Sequence, residues 1–177
     1  MPHYTLKEMI DLMEPQAVRD KSLIVRCIGG LTQYAAELRQ RAIPNEQTRI
    51  PILRELVSEM AAYWNLEEFS DGGTPEAYQK DFDSRVAGAE RAGEPLATTH
   101  EQKTDAIFGL YRYAMDMIPS LGADGVQAVT VCKDLIHTLA REWAFDLPRL
   151  NTMCGNIETS LREQAECERK LGMGGLQ

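Results

Sequence analysis

The sequence predicts an all-α protein, a single domain folded as an irregular bundle of six or seven helices. Apolar residues recur every three or four positions between the prolines, which is the spacing of one buried helix face. Runs that alternate apolar and polar residues, typical of half-buried strands, are missing, as are hairpin dipeptides between β-branched segments. With 177 residues, 44% of them apolar and 26% charged, the chain is long enough for one domain with a core.

The first two predicted helices cover residues 5–13 and 15–42. A capping box begun by Thr5, in which a threonine is followed three residues later by a glutamate, starts the shorter one. The longer one begins at a proline and carries a regular apolar stripe, but Gly29 and Gly30 interrupt it. Two glycines weaken a helix by about 1 kcal/mol each relative to alanine. The pair therefore indicates a kink, a close helix crossing, or two separate helices.

The next two helices are predicted over residues 50–64 and 75–92, with a loop between them. Thr74 can accept a hydrogen bond from the first turn of the second of these, and Pro75 has the backbone angle that a first helical residue needs.

A fifth helix is expected to begin at Thr98 or Thr99 and to end at Pro119. Its inward residues should include Tyr111. The sixth has the most regular seam, with steps of three and four along Val129, Cys132, Ile136, Leu139 and Trp143.

The seventh helix is expected to begin at Pro148, to face Cys154 and Leu161 inward, and to end at Gly172. The helical domain then spans residues 1–171, and residues 172–177 form a flexible C-terminal tail.

The charge and hydropathy of the chain exclude several functional classes. A net charge of -8 argues against direct binding of nucleic acid, which requires clustered lysine and arginine. The longest stretch without charge, residues 27–36, is about half of what a membrane-spanning helix needs. The N-terminal residues lack the apolar segment of a signal peptide. We therefore expect a cytoplasmic protein that does not bind membranes.

Motifs for metal binding or catalysis are weak or missing. The four cysteines lie far apart without metal-site spacing, so we expect thiols rather than a disulfide. Asp134 and His137 form one pair of the kind found in bundle metal sites, but no second pair accompanies it. Cys132 and His137 are five residues apart, which points their side chains in different directions on a helix. We expect no metal and no cofactor. Catalysis is not favoured, although a site assembled from scattered acids would show no motif.

The negative charge is concentrated in one segment. Residues 63–105 contain ten acidic and four basic residues, so this segment carries -6 of the net -8. Some of these acids have a basic residue four positions later on a helix, as Asp81 has Arg85, which is an ordinary arrangement on a solvated face. Four others have no such local partner, and the first two of them fall near a predicted helix C-terminus, which disfavours anions: Glu67, Glu68, Asp71 and Asp83.

This pattern supports two hypotheses of function from different classes. In the first, the protein is a non-enzymatic adaptor, inhibitor or immunity-type antagonist, and the four acids bind a basic site on a macromolecular partner. The acidic stretch has a simpler interpretation as a solvated face, and imitation of nucleic acid is a variant of the first hypothesis. In the second, the bundle binds a small molecule, or is an enzyme of unrecognised type, with its site among aromatic residues: Tyr63, Trp64, Phe69, Tyr78, Phe82, Phe108, Tyr111 and Tyr113. The second and sixth helices also offer a face for a homodimer.

Overall fold

All regular elements that the structure describes are helical, which confirms the predicted all-α class. The structure is a computed structural model and describes residues 16–69, 72–121 and 123–174. The predicted helix at 5–13 lies outside these ranges. The elements, in chain order, are α1 (Gln16–Arg41), α2 (Pro44–Gln47), α3 (Arg49–Tyr63), α4 (Leu66–Phe69), α5 (Pro75–Ala89), α6 (His100–Met117), a 3₁₀ turn (Ile118–Ser120), α7 (Ala123–Glu142) and α8 (Leu147–Gly174).

The contacts of the chain group into two compact units, residues 1–102 and 103–177, a division that the sequence did not indicate. The boundary between the units falls within α6. In the first unit α1, α3 and α5 pack against one another. Their mutual faces supply buried side chains, among them Ile24, Leu31, Leu38, Leu53, Met60 and Phe82.

Helix α1 passes through the glycine pair without a break, so the alternative of two separate helices is wrong. Gly29 is exposed, and a Cβ atom placed on it would meet nothing within 4 Å, so no close crossing occurs at that position. Buried residues precede and follow the pair, including Ile28 and Leu31. Burial of this apolar face on both sides offsets the poor helix propensity of the glycines.

An irregular segment of residues 90–99, here called the strap, runs along α1 and is fixed by side chains of that helix. Gln33, Glu37 and Gln40 are spaced four and three residues apart, so they share one helix face. Gln40 donates to the carbonyl of Glu94 (2.9 Å), and Glu37 accepts from the buried Thr98 hydroxyl (2.6 Å). Hydrogen bonds to side chains of α1 therefore satisfy polar groups of the strap.

The predicted helix starts are confirmed at two places. Thr74 accepts a hydrogen bond from the amide of Ala77 (3.1 Å) at the start of α5. Of the two candidates at the next start, Thr99 is the capping residue, because its hydroxyl accepts from the amide of Gln102 (3.1 Å) while the Gln102 side chain accepts from the Thr99 amide (2.9 Å). Thr98 belongs to the strap.

Three turns after helices place a residue other than glycine in the left-handed region: Ala42 (φ 54°), Asn65 (φ 50°) and Ala144 (φ 51°). After α7 the turn is a Schellman motif, in which the Phe145 amide bonds the Ala140 carbonyl (2.8 Å) and the Ala144 amide bonds the Arg141 carbonyl (3.2 Å). No glycine stands at these helix ends, so the sequence does not mark them.

The second unit contains most of α6 together with α7 and α8. The α7 seam is buried as predicted at Val129, Cys132, Ile136 and Leu139. Four expected core positions are only half-buried: Tyr111, Trp143, Cys154 and Leu161. Helix α8 continues through Gly174, so Gly172 does not end it, and at least residues 172–174 are not the tail that the sequence predicted. Residues 162–171 of this helix are mostly polar and exposed, so this part of the helix has no buried face.

Candidate interaction surface and groove

Glu67 and Glu68 are exposed neighbours on α4, a helix of only four residues. The preceding helix, α3, ends at Tyr63, within one residue of the predicted end, and the two glutamates follow it in the separate one-turn helix α4. The left-handed Asn65 separates the two helices. No cation among the described residues forms an ion pair with either glutamate.

Asp83 has a long-range partner that its sequence neighbourhood does not show. Its carboxylate accepts two hydrogen bonds from Arg54 of α3, at 2.8 Å from Nε and 3.0 Å from Nη2. These hydrogen bonds and the charge of Asp83 raise the pKa of the Arg54 guanidinium. Asp83 is thus not one of the unpaired acids, and part of its charge is already neutralised. Asp71 lies outside the described residues.

The local pairing of Asp81 with Arg85 is confirmed, with 3.1 Å between the carboxylate and Nε of the arginine. Both side chains are exposed, so the pair belongs to a solvated helix face and contributes little to stability.

Glu59 of α3 is an acidic residue that the sequence reasoning overlooked. Burial, and then the charge of Glu55 one turn earlier, raise the pKa of the Glu59 carboxyl above its ordinary value. A glutamate four residues after another glutamate could have been found in the sequence as a repulsive pair. The negative charge of Glu59 is therefore disfavoured in the isolated protein.

A groove of about 560 Å³ opens on the first unit between α1, α2, α3 and α5. Its apolar lining comes from Ile50, Pro51, Phe82, Val86 and Ala87, and its polar lining from Arg39, Gln47, Arg54, Asp83 and Glu90. Helix α5 contributes positions 82, 83, 86 and 87, which share one face of the helix, and Glu90 directly follows the last residue of α5. The volume lies within the range of small-ligand sites in proteins.

The side chain of Gln47 is fixed at the edge of this groove. Its Nε2 donates to the carbonyl oxygens of Leu38 (2.7 Å) and Ile43 (3.3 Å). Because both partners are acceptors, the amide must present nitrogen to them, and this determines where Oε1 points. Oε1 is buried and accepts no hydrogen bond from the residues that the structure describes.

The charges lining the groove are of two kinds. Arg54 and Asp83 satisfy each other. The half-buried Arg39 and the exposed Glu90 have no ion-pair partner within the described part of the chain. The sequence did not indicate that Arg39 and Glu90 line one groove, since the two residues are about fifty positions apart and no local pattern connects them.

The aromatic residues that the structure describes have several different environments. Phe82 is the one aromatic residue lining the described groove. Phe108 of the second unit instead packs edge-on against Phe145, with 6.2 Å between ring centroids, and the guanidinium of Arg149 lies 4.6 Å from its centroid. Tyr111 accepts a hydrogen bond from Asn156 (2.9 Å). These contacts give the aromatic residues a packing role between helices of one unit.

The described residues contain no group of three or more histidine, cysteine, aspartate or glutamate side chains placed to hold a metal ion. His137 is exposed on α7. All four cysteines are present as thiols. Burial is the main cause that raises the pKa of the Cys154 thiol, which makes it a weaker nucleophile at neutral pH.

Comparison with protein-family models, with curated proteins and with solved structures gave no match. Nothing about function is therefore carried over from another protein. Within the described ranges, no helix combines the length and the apolar character needed to cross a membrane.

Proposed function

We propose that this protein acts without catalysis, as an adaptor, inhibitor or immunity-type antagonist that binds a basic site on a macromolecular partner. The observation that carries the proposal is the exposure of Glu67 and Glu68 side by side, with no ion pair to a described residue. They belong to the segment that holds -6 of the net charge of -8. Adjacent uncompensated charges of one sign attract and orient a partner of the opposite sign.

Two further acids support an acidic face, with different weights. Asp83 shares its charge with Arg54, so it contributes less than the two glutamates. Glu59 is held in an environment that disfavours its charge, and a cation brought by a partner would relieve that cost. We include Asp71 in the face because of its position in the acidic segment.

The proposal also covers location and assembly. We place the protein in the cytoplasm, with a basic protein surface rather than nucleic acid as its partner. We retain the homodimer as a proposal. The apolar faces of α1 and α7 are buried within the single chain, so self-association would have to use other surfaces.

The test is capture of a partner from lysate of the source cells, with the native protein and with a variant carrying Glu67→Lys, Glu68→Lys and Asp71→Lys. Asp83 is left unchanged, because its reversal would also place a second cation beside Arg54. We expect a partner that the native protein retains and the variant loses.

A matched control reverses three exposed acids of α8, Glu163, Glu166 and Glu168, which changes the net charge by the same amount. This control should retain the partner. Equal loss from both variants would show that net charge alone is responsible. Equal retention by both would assign the acidic stretch to ordinary solvation and reject the proposal.

A further inference from the structure

We propose that the groove between α1, α2, α3 and α5 binds a small zwitterion with an apolar body, that is, an apolar α-amino acid or a short apolar peptide. This site is separate from the partner surface proposed above and does not depend on it. One cation and one anion that have no ion-pair partner among the described residues, Arg39 and Glu90, line the groove together with an apolar floor, and these match the three parts of such a ligand.

Arg39 supplies the site for the carboxylate. It is the one arginine of the groove that is not occupied by an ion pair, since Arg54 is held by Asp83 at 2.8 and 3.0 Å. Guanidinium groups bind carboxylates through two parallel hydrogen bonds, which fixes orientation as well as charge.

Glu90 supplies the acceptor for an ammonium group. Its exposed carboxylate has no ion-pair partner among the described residues. A hydrogen bond between an ammonium group and a carboxylate is charge-assisted, and such bonds are stronger than those between neutral groups.

The floor of the groove suits the apolar part of the ligand. Ile50 and Phe82 are almost fully buried, at 5% and 1% exposed, and Val86 is 7% exposed. Together with Pro51 and Ala87 they form the apolar part of the groove lining. A ligand with charge of one sign only would leave either Arg39 or Glu90 without a partner, which is why we infer a zwitterion.

The experiment is titration of the full chain with L-phenylalanine and with phenylalanyl-phenylalanine, followed by amide chemical shifts in NMR and by calorimetry. N-acetyl-phenylalanine and phenylalaninamide are the matched probes, because each lacks one of the two charges. We expect saturable shifts at the groove residues with at least one zwitterion, and binding that is about tenfold or more weaker for both blocked probes.

Variants identify the groups responsible. Arg39→Gln and Glu90→Gln should each weaken zwitterion binding by about tenfold or more. The controls Arg85→Gln and Glu76→Gln, exposed residues of α5 that do not line the groove, should leave binding unchanged. Arg39 and Glu90 make no ion pair with described residues, so all four variants should fold, and circular dichroism checks this.

Binding of phenylalanine alone identifies the ligand class as amino acids, and binding of the dipeptide alone identifies it as short peptides. The proposal is overturned if neither zwitterion gives saturable shifts at the groove up to millimolar concentrations. It is equally overturned if the blocked probes bind as well as the zwitterions, or if the Arg39 and Glu90 variants bind as well as their controls.

Discussion

Loss of the Glu37 carboxylate should loosen the strap and destabilise the first unit by about 2–3 kcal/mol. Glu37 accepts hydrogen bonds from the hydroxyl (2.6 Å) and the amide (3.3 Å) of Thr98, which is only 5% exposed. Hydrogen bonds to a charged group contribute about 1.5–3 kcal/mol when buried. The Glu37→Ala variant removes both and leaves two buried donors without an acceptor, whereas Glu37→Gln retains an acceptor and should cost about 1 kcal/mol.

The assay is urea unfolding followed by circular dichroism, together with hydrogen exchange of the strap amides. For a chain of this length the loss from Glu37→Ala corresponds to a fall of about 5–10 °C in Tm. Gln33→Ala is the control, because its bond to the Ala97 carbonyl is long (3.4 Å) and exposed, and it should cost less than about 0.5 kcal/mol.

A double-mutant cycle with Thr98→Val isolates the interaction of the two side chains, and we expect a coupling free energy above about 1 kcal/mol. Glu37 does not hold the strap if Glu37→Ala changes the free energy of unfolding by no more than the Gln33→Ala control, or if the exchange rates of the strap amides stay at their native values.

Three smaller changes follow from the structure and can be measured by denaturant unfolding. Glu59→Gln should stabilise the protein by roughly 0.2–0.5 kcal/mol at neutral pH. Its folded-state pKa is raised by burial and by Glu55, so the cost of its charge is absent below the unfolded-state pKa and develops as pH rises through the folded-state pKa. Equal stabilisation at acidic pH would contradict this. Asp83→Asn should cost about 0.2–1 kcal/mol, because the bridge to Arg54 is exposed, and high salt should shrink the loss. A larger loss of stability that does not depend on salt would show that Asp83 does more than form an exposed ion pair. Ala144→Gly should stabilise by roughly 0.5–1 kcal/mol, since φ is 51° there, and any destabilisation would speak against strain at this turn.

Helical periodicity was sufficient to predict the fold class and most of the long helices. The α7 seam is buried at four consecutive predicted positions, from Val129 to Leu139, because a repeat of three and four residues corresponds directly to one helix face. The capping residues Thr74 and Thr99 were also predictable, since a cap depends on residues only three positions apart.

Helix ends were harder to predict than helix interiors. Glycine did not mark them reliably: α1 passes through Gly29 and Gly30, and α8 continues to Gly174. The chain instead turns at Ala42, Asn65 and Ala144, where hydrogen bonds of the turn hold a left-handed residue other than glycine. Tertiary packing decides such positions, and local propensity does not show it.

The candidate site was predictable only in part, because its pairings join distant residues. The exposure of Glu67 and Glu68 is what a charged segment predicts. The ion pair between Arg54 and Asp83 spans 29 positions, so no local spacing predicts it. The groove has the same origin. Arg39 of α1, Gln47 of α2 and Glu90 after α5 line one groove because these helices pack together with α3, so their proximity depends on the fold and not on a motif.

Binding of a basic partner by the acidic face can be tested through its dependence on salt. The affinity of the captured and purified partner is measured for the native protein and for the Glu67→Lys, Glu68→Lys, Asp71→Lys variant, at salt concentrations from about 50 to 500 mM. We expect the native affinity to fall steeply with salt, and the variant to bind at least tenfold more weakly at low salt and to lose most of the salt dependence. An affinity that is independent of salt and equal for the two proteins would contradict this expectation.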